Sequence, residues 1–335
     1  MHPIRLFATT GDEVVRIVSH DGERFETTPM LKGSQAQAIA VDPDNPDRVY
    51  VGTFDDGVYR SLDGGETWTQ VSEDIPHKRV LSIAISPSHR TNGVNAVFAG
   101  TEPSNLYRSE DDGATWQEFS ELPKLPSSPG WSFPPRPWTH HVRWIAPHYD
   151  NPDLLFVGIE LGGVMRSLDG GATWEDLKPN SYHDSHVVRT HPTATGRVYE
   201  AAGEGVAFSD DAGETWQRVD DGMDRHYAWG LAIDPGDPDL WYVSASRGAR
   251  YAHGRNGNAQ GHLYRKRGDA PWELLTLDQP NPHPDMPYAL LTFREHPNTL
   301  ITGMHSGRIL RSDDAGDSWK VLDVELEQIL ALAEG

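Results

Sequence analysis

The segment Tyr182-His183-Asp184-Ser185-His186 places two imidazoles three residues apart around a carboxylate. Imidazole titrates near neutrality and binds divalent metals through a neutral ring nitrogen, so this spacing suits proton transfer or a metal centre. Two other segments carry the same residue types, His140-His141-Val142-Arg143 and Arg225-His226-Tyr227. His183, His186, His226 and His141, with Tyr182 and Tyr227, are therefore the candidate catalytic groups. Histidine and tyrosine would act as acid and base while Arg143 and Arg189 neutralise a substrate carboxylate, the combination that elimination at an acidic sugar requires. His183, His186, His226 and His141 are also a candidate ligand set for a divalent metal, the one cofactor these residues suggest.

These residues need elements that bring them together. Each lies at or near a short apolar run that ends in proline, such as Gln37-Ala-Ile-Ala-Val-Asp-Pro43, followed by a polar turn and a second run, Arg48-Val-Tyr-Val-Gly52. The frame recurs at Leu81 to Pro87, His141 to Pro147, His186 to Pro192, Trp229 to Pro235 and Tyr288 to Pro297. Aligned on Pro147, Pro192 and Pro235, His141, His186 and Trp229 share one level, with Trp138, His183 and His226 three residues earlier. Counted back from Pro297, Tyr288 falls on that second level.

Between the later runs stand five copies of Ser-x-Asp-x-Gly-x-Thr/Ser-Trp, beginning at Ser61, Ser109, Ser167, Ser209 and Ser312. The Asp accepts backbone hydrogen bonds, the Gly supplies a left-handed conformation, and the Trp is an apolar wedge, so each copy reads as a hairpin turn. Repetition at this spacing implies a repeat fold. The pattern resembles the Asp-box, or BNR, repeat of sialidases, related glycan-active propellers and a plant and cyanobacterial photosystem assembly factor. The resemblance implies an all-β propeller with the boxes on the face away from the active site.

The expected fold is a seven-bladed propeller of four-stranded antiparallel blades, one domain over residues 1–335. Six blades fall at about 35–73, 79–121, 140–178, 185–220, 228–277 and 287–324, and the seventh joins 1–30 to 326–335. Pairing the termini removes exposed sheet edges. In this arrangement histidines 77, 140, 141, 183, 186, 226, 253, 283 and 305 map to the box-free face, whereas His148, His191 and His296 lie near the boxes and read as structural. Glu160 and Glu204 fall in loops of the box-free face and read as solvated.

Two long loops border that face. In the first, Ser120 to His140, Trp131 and Trp138 are candidates for stacking on a sugar; the second, Ser246 to Gly261, contributes Arg247 and Arg250 from a lid-like segment. Tyr288 and His305 complete the candidate ligand-binding set with Arg143 and Arg189.

The chain lacks cysteine, which excludes disulfides, thiolate metal sites and a cysteine nucleophile. A net charge of −21 argues against nucleic acid or an anionic membrane as partner. The N-terminal residues lack the pattern of a secretory signal, so the expected location is cytoplasmic. Pro3-Ile-Arg5-Leu6 replaces the Arg-Ile-Pro motif usual in sialidases, which argues against that activity. The reading that results is a hydrolase or lyase acting on a carbohydrate or other oxygen-rich, anionic small molecule at the channel mouth. The alternative is a non-catalytic propeller that binds a protein or ligand.

Overall fold

The computed structural model describes residues 4–254 and 257–335. Seven antiparallel sheets follow one another along the chain as the blades of a propeller. Blade 1 comprises Ala36–Asp42, Asn45–Thr53, Val58–Ser61 and Thr69–Gln70, from the innermost strand outward. Blades 2 to 6 begin with the innermost strands Val80–Thr91, Val142–Pro147, Ser185–Thr190, Tyr227–Ile233 and Pro287–Phe293. In the closing blade the C-terminal Ala331–Glu334 pairs with Ile4–Thr9, with Thr9 opposite Ala331 and Leu6 opposite Glu334.

Six sheets have four strands. In blade 3 the outermost strand is reduced to one bridge between Arg166 and Glu175, reinforced by the Glu175 carboxylate 2.9 Å from Arg166 Nε. Among the described residues no helix is long and apolar enough to cross a membrane.

The box turns join the third and outermost strands. In the first, Gly65 N–H donates to Ser61 Oγ (2.8 Å), Thr67 N–H and its hydroxyl donate to the two Asp63 oxygens (2.8 and 2.6 Å), and Trp68 Nε1 donates to the Gly65 carbonyl (3.0 Å). The other four repeat the Ser and Asp bonds around Asp111, Asp169, Asp211 and Asp314, and three of them the tryptophan bond, whereas Trp116 Nε1 donates to the Val71 carbonyl of the preceding blade. Each tryptophan wedges against the preceding blade; Trp174, for example, meets Phe119 edge-on at 6.3 Å. Gly171 of that box has φ +94° and a hypothetical Cβ would lie 2.3 Å from Phe119, so only glycine fits there.

A second repeated device faces the channel. In six innermost strands the register slips by one residue, leaving Gln37, Leu81, Arg143, His186, Trp229 and Tyr288 as the extra residue of a β-bulge. A bulge turns its extra side chain out of the ladder, and here the side chains are delivered to the channel mouth. The partner strand often carries glycine beside the bulge. A Cβ on Gly100 would lie 2.5 Å from Val142 Cγ1, so its absence lets the next innermost strand approach.

Candidate functional site

The bulges correct the levels inferred from the prolines. Arg143, His186, Trp229 and Tyr288 are the equivalent residues, because the distance from bulge to proline is shorter in blade 3 and longer in blade 6. His141 thus lies two residues before its bulge, on the level of Asp184 and Tyr227. Residues of that level meet the loop between the second and third strands of their own blade: Arg79 meets Glu102, His141 meets Glu160, and Tyr227 meets His253.

Glu160 and Asp184 form the acidic side of the mouth. His141 Nε2 lies 3.1 Å and Arg143 Nε 3.8 Å from Glu160 Oε2. Burial pushes the Glu160 carboxyl up, but the hydrogen bond from His141 and the charges of His141, His186 and Arg143 outweigh it and hold the group at about 2. Glu160 is therefore a partly buried, paired carboxylate rather than the solvated group its loop position suggests. His186 is fully buried, its Nδ1 2.6 Å from the Ala228 carbonyl and its Nε2 3.5 Å from Asp184 Oδ1. Burial lowers the affinity of this ring for a proton, and the Asp184 carboxylate, with Glu160 and the Ala228 carbonyl, more than reverses the effect.

The opposite side is aromatic. Trp229 contacts His186 at 4.7 Å, Tyr288 at 5.1 Å and His253 at 4.4 Å between ring centroids, and Arg143 lies over its face. His253 is hydrogen-bonded to two phenols, with Nε2 2.8 Å from Tyr227 Oη and Nδ1 3.1 Å from Tyr288 Oη. Burial, with the nearby His186 charge, drives the His253 imidazole down to about 4, so it is neutral at pH 7. Burial raises both tyrosines, which stay protonated. His305 stacks on Tyr288 at 4.6 Å.

Of the sequence candidates, His141, Arg143, His186, Tyr227, Tyr288 and His305 come together here. His183 and His226 do not. Both side chains are exposed and make no hydrogen bond, ion pair or ring contact among the described residues, because each precedes the level that turns into the mouth. Tyr182 is buried between strands with its hydroxyl donating to Asp220 (3.0 Å). Trp131 is 6% exposed in the core between blades 2 and 3, its Nε1 donating to Ser127 Oγ, so it offers no stacking face. Trp138 is 79% exposed. Arg189 packs over Trp144, and burial lowers its pKa. Arg247 is exposed over Tyr251, and Arg250 is exposed on the short helix Ala249–Ala252.

Glu160, Asp184 and His253 are the functional candidates that composition alone did not single out. Their signal lies in topology: the two-to-three-strand loop for Glu160 and His253, and the residue two before the bulge for Asp184. A separate hollow of ≈ 350 Å³ opens beside the box turns, lined by His89, Arg108, Glu121 and Asp169. It lies away from the mouth.

No protein-family model and no curated protein matches the chain. Solved structures do match in fold. An ancestral GH74 enzyme aligns over 95% of this chain at TM-score 0.65 and 17% identity. The GH74 xyloglucanase from Xanthomonas campestris aligns over 92% at 0.53 and 17%. YCF48 bound to D1 peptide aligns over 85% at 0.58 and 17%. This chain spans 40% and 56% of the two GH74 chains but 81% of the YCF48 chain. At such identities the likeness establishes the propeller fold and leaves function to the site.

Proposed function

We propose that the channel mouth is the active site of a hydrolase or lyase that cleaves a carbohydrate or other oxygen-rich, anionic small molecule. The observation that carries this reading is the hydrogen-bonded chain Tyr227–His253–Tyr288 beside Arg143 and Trp229. A neutral imidazole between two phenols holds one proton and one lone pair, so it takes a proton at one nitrogen as it releases one at the other. In elimination, this chain removes the proton next to a carboxylate and a phenol returns one to the departing oxygen. Arg143 offsets the charge that builds on the substrate, and Trp229 provides a flat surface for a sugar ring. Glu160, held at about 2, is too weak a base for the proton and acts by charge.

The test is turnover on uronic-acid oligosaccharides, read in parallel as near-ultraviolet absorbance of an unsaturated product and as new reducing ends. Absorbance with reducing ends identifies a lyase, and reducing ends alone a hydrolase. Loss of either signal in folded Tyr227→Phe and His253→Asn supports the assignment, and unchanged rates in both overturn it.

One observation favours a second reading, a peptide-binding scaffold. The YCF48 structure with a bound peptide matches this chain over most of both lengths, whereas the GH74 chains extend well beyond the matched part. Saturable binding of peptides at the mouth, in a parent inert on every saccharide, would favour the scaffold.

A further inference from the structure

We infer that Glu160, Asp184 and His186 hold a divalent metal ion of the first transition row at the channel mouth. One ligand atom from each lies within 4.8 Å of the others. Small inward movements of these side chains reach the separations that metal–ligand bonds of roughly 2.0–2.2 Å require.

The state of His186 is the independent sign of a ligand. Its ring is fully buried, and Nδ1 sits 2.6 Å from the Ala228 carbonyl, which places an N–H there, so that in the neutral ring a metal would bind, Nε2 is the nitrogen that offers a lone pair. Among the described residues, Nε2 and the neighbouring Asp184 Oδ1 are both buried, and neither makes a well-formed hydrogen bond; they face only each other, at 3.5 Å. Buried polar atoms left with only so long a mutual contact are rare, and a cation between them satisfies both. A ligating histidine whose other nitrogen donates to a backbone carbonyl is the arrangement that orients rings toward metals.

The carboxylates are held as well. His141 and Arg143 face the Glu160 carboxylate from one side, and the Asp184 backbone N–H donates to Glu204 Oε2 at 3.1 Å, which fixes the chain that carries the second carboxylate. The bulge at His186 places the ring at the mouth instead of in the ladder. One imidazole and two carboxylates, without thiolate, suit Mn²⁺ or Zn²⁺ and leave positions for water or a substrate oxygen. His183 and His226 are not among the ligands.

The inference deepens the channel-mouth reading and rests on it, but its readout is bound metal rather than turnover, so either can fail alone. Chelator-stripped full-length protein is titrated calorimetrically with MnCl₂, then with ZnCl₂, and melted with and without each ion. The expected result is one Mn²⁺ or Zn²⁺ per chain and a raised Tm. In Glu160→Gln, Asp184→Asn and His186→Ala the affinity falls by more than the roughly 10- to 100-fold that loss of an orienting partner costs. His141→Ala falls within that range, and the His183→Ala/His226→Ala double variant binds as the parent does.

If His186→Ala fails to fold, the two nearly isosteric carboxamide variants decide. Absence of binding of both ions in the folded parent overturns the inference, as does unchanged affinity in Glu160→Gln and Asp184→Asn. Metal bound at this site in a protein inert on every saccharide sinks the enzyme reading and leaves the metal site standing.

Discussion

The Arg143 guanidinium carbon lies 4.5 Å from the centre of the Trp229 ring, although blade 4 separates the blades that carry them. Such a contact forms only where innermost strands converge, and it exists because each residue is the extra one in a bulge. Desolvated cation–aromatic pairs contribute on the order of 1–2 kcal/mol, so the pair fixes where the positive charge stands.

Arg143→Ala should therefore weaken a carboxylate-bearing ligand by about 10-fold or more, while a neutral sugar of the same size binds nearly as before. Titration of both ligands by calorimetry checks this. Equal losses for the two would mean that Arg143 shapes the mouth without reading charge.

His253 sets the acid limit of the reaction proposed here. It faces Tyr227 and Tyr288 directly, with Glu160, His186, Arg143 and His305 around it, and its pKa is down at about 4. A base must be neutral to act, so kcat/KM should fall as pH drops through about 4 and stay level above it on this limb. His253→Asn should lose about 10² to 10⁴ in rate and, with it, this limb. An acid limb that persists in His253→Asn would assign it to another group.

The blades and boxes were legible because their signals are local. The Ser, Asp, Gly and Thr of a box bond to one another within eight residues, so composition and spacing carry the geometry. The closing strand pair was legible because neither terminus completes a blade alone. The site was legible only in part, because its contacts run between blades. Choosing among His141, His183, His186 and His226 required the bulge register, and proline spacing varies too much to supply it. Glu160 lies in a loop whose sequence carries no hint that His141 and Arg143 converge on it. Trp131 reads like a surface aromatic in a proline-rich loop, yet the two short turns Leu122–Lys124 and Ser128–Gly130 fold it into the core.

The boxes should govern stability without touching chemistry. Trp174 is 8% exposed and packs on Phe119, so Trp174→Ala leaves a cavity costing about 3–5 kcal/mol. Urea titration reads that loss, and turnover or ligand binding measured below the transition should match the parent. A folded variant with an altered site would show that the two faces are coupled.

The boxes also set an acid limit to stability. Asp63 and Asp314 are held at about 2, chiefly by the hydroxyls of Thr67 and Ser318, and Asp211 at about 2, chiefly by the Thr215 N–H. Their folded pKa values lie below the unfolded value near 3.8. Their stabilisation is thus complete above that pH and lost as pH falls through about 2. The parent should lose urea resistance steeply across that window. Asp63→Asn, with one titrating group fewer, should show a shallower slope.

Glu200 acts in the opposite direction at higher pH. Its side chain is fully buried, and burial pushes the carboxyl up to about 7 despite hydrogen bonds donated by the Ser181 hydroxyl (2.9 Å) and Tyr182 N–H (3.0 Å). The folded pKa exceeds the unfolded one, so the contribution is intact below about 4.5 and is lost as pH rises through about 7. Fully expressed, a shift of this size corresponds to about 3 kcal/mol. Glu200→Gln keeps an oxygen to accept both hydrogen bonds and never ionises. Its urea midpoint should exceed that of the parent at pH about 8, with the margin closing at pH about 5. A margin that stays constant across that range would show that Glu200 does not ionise in the folded protein.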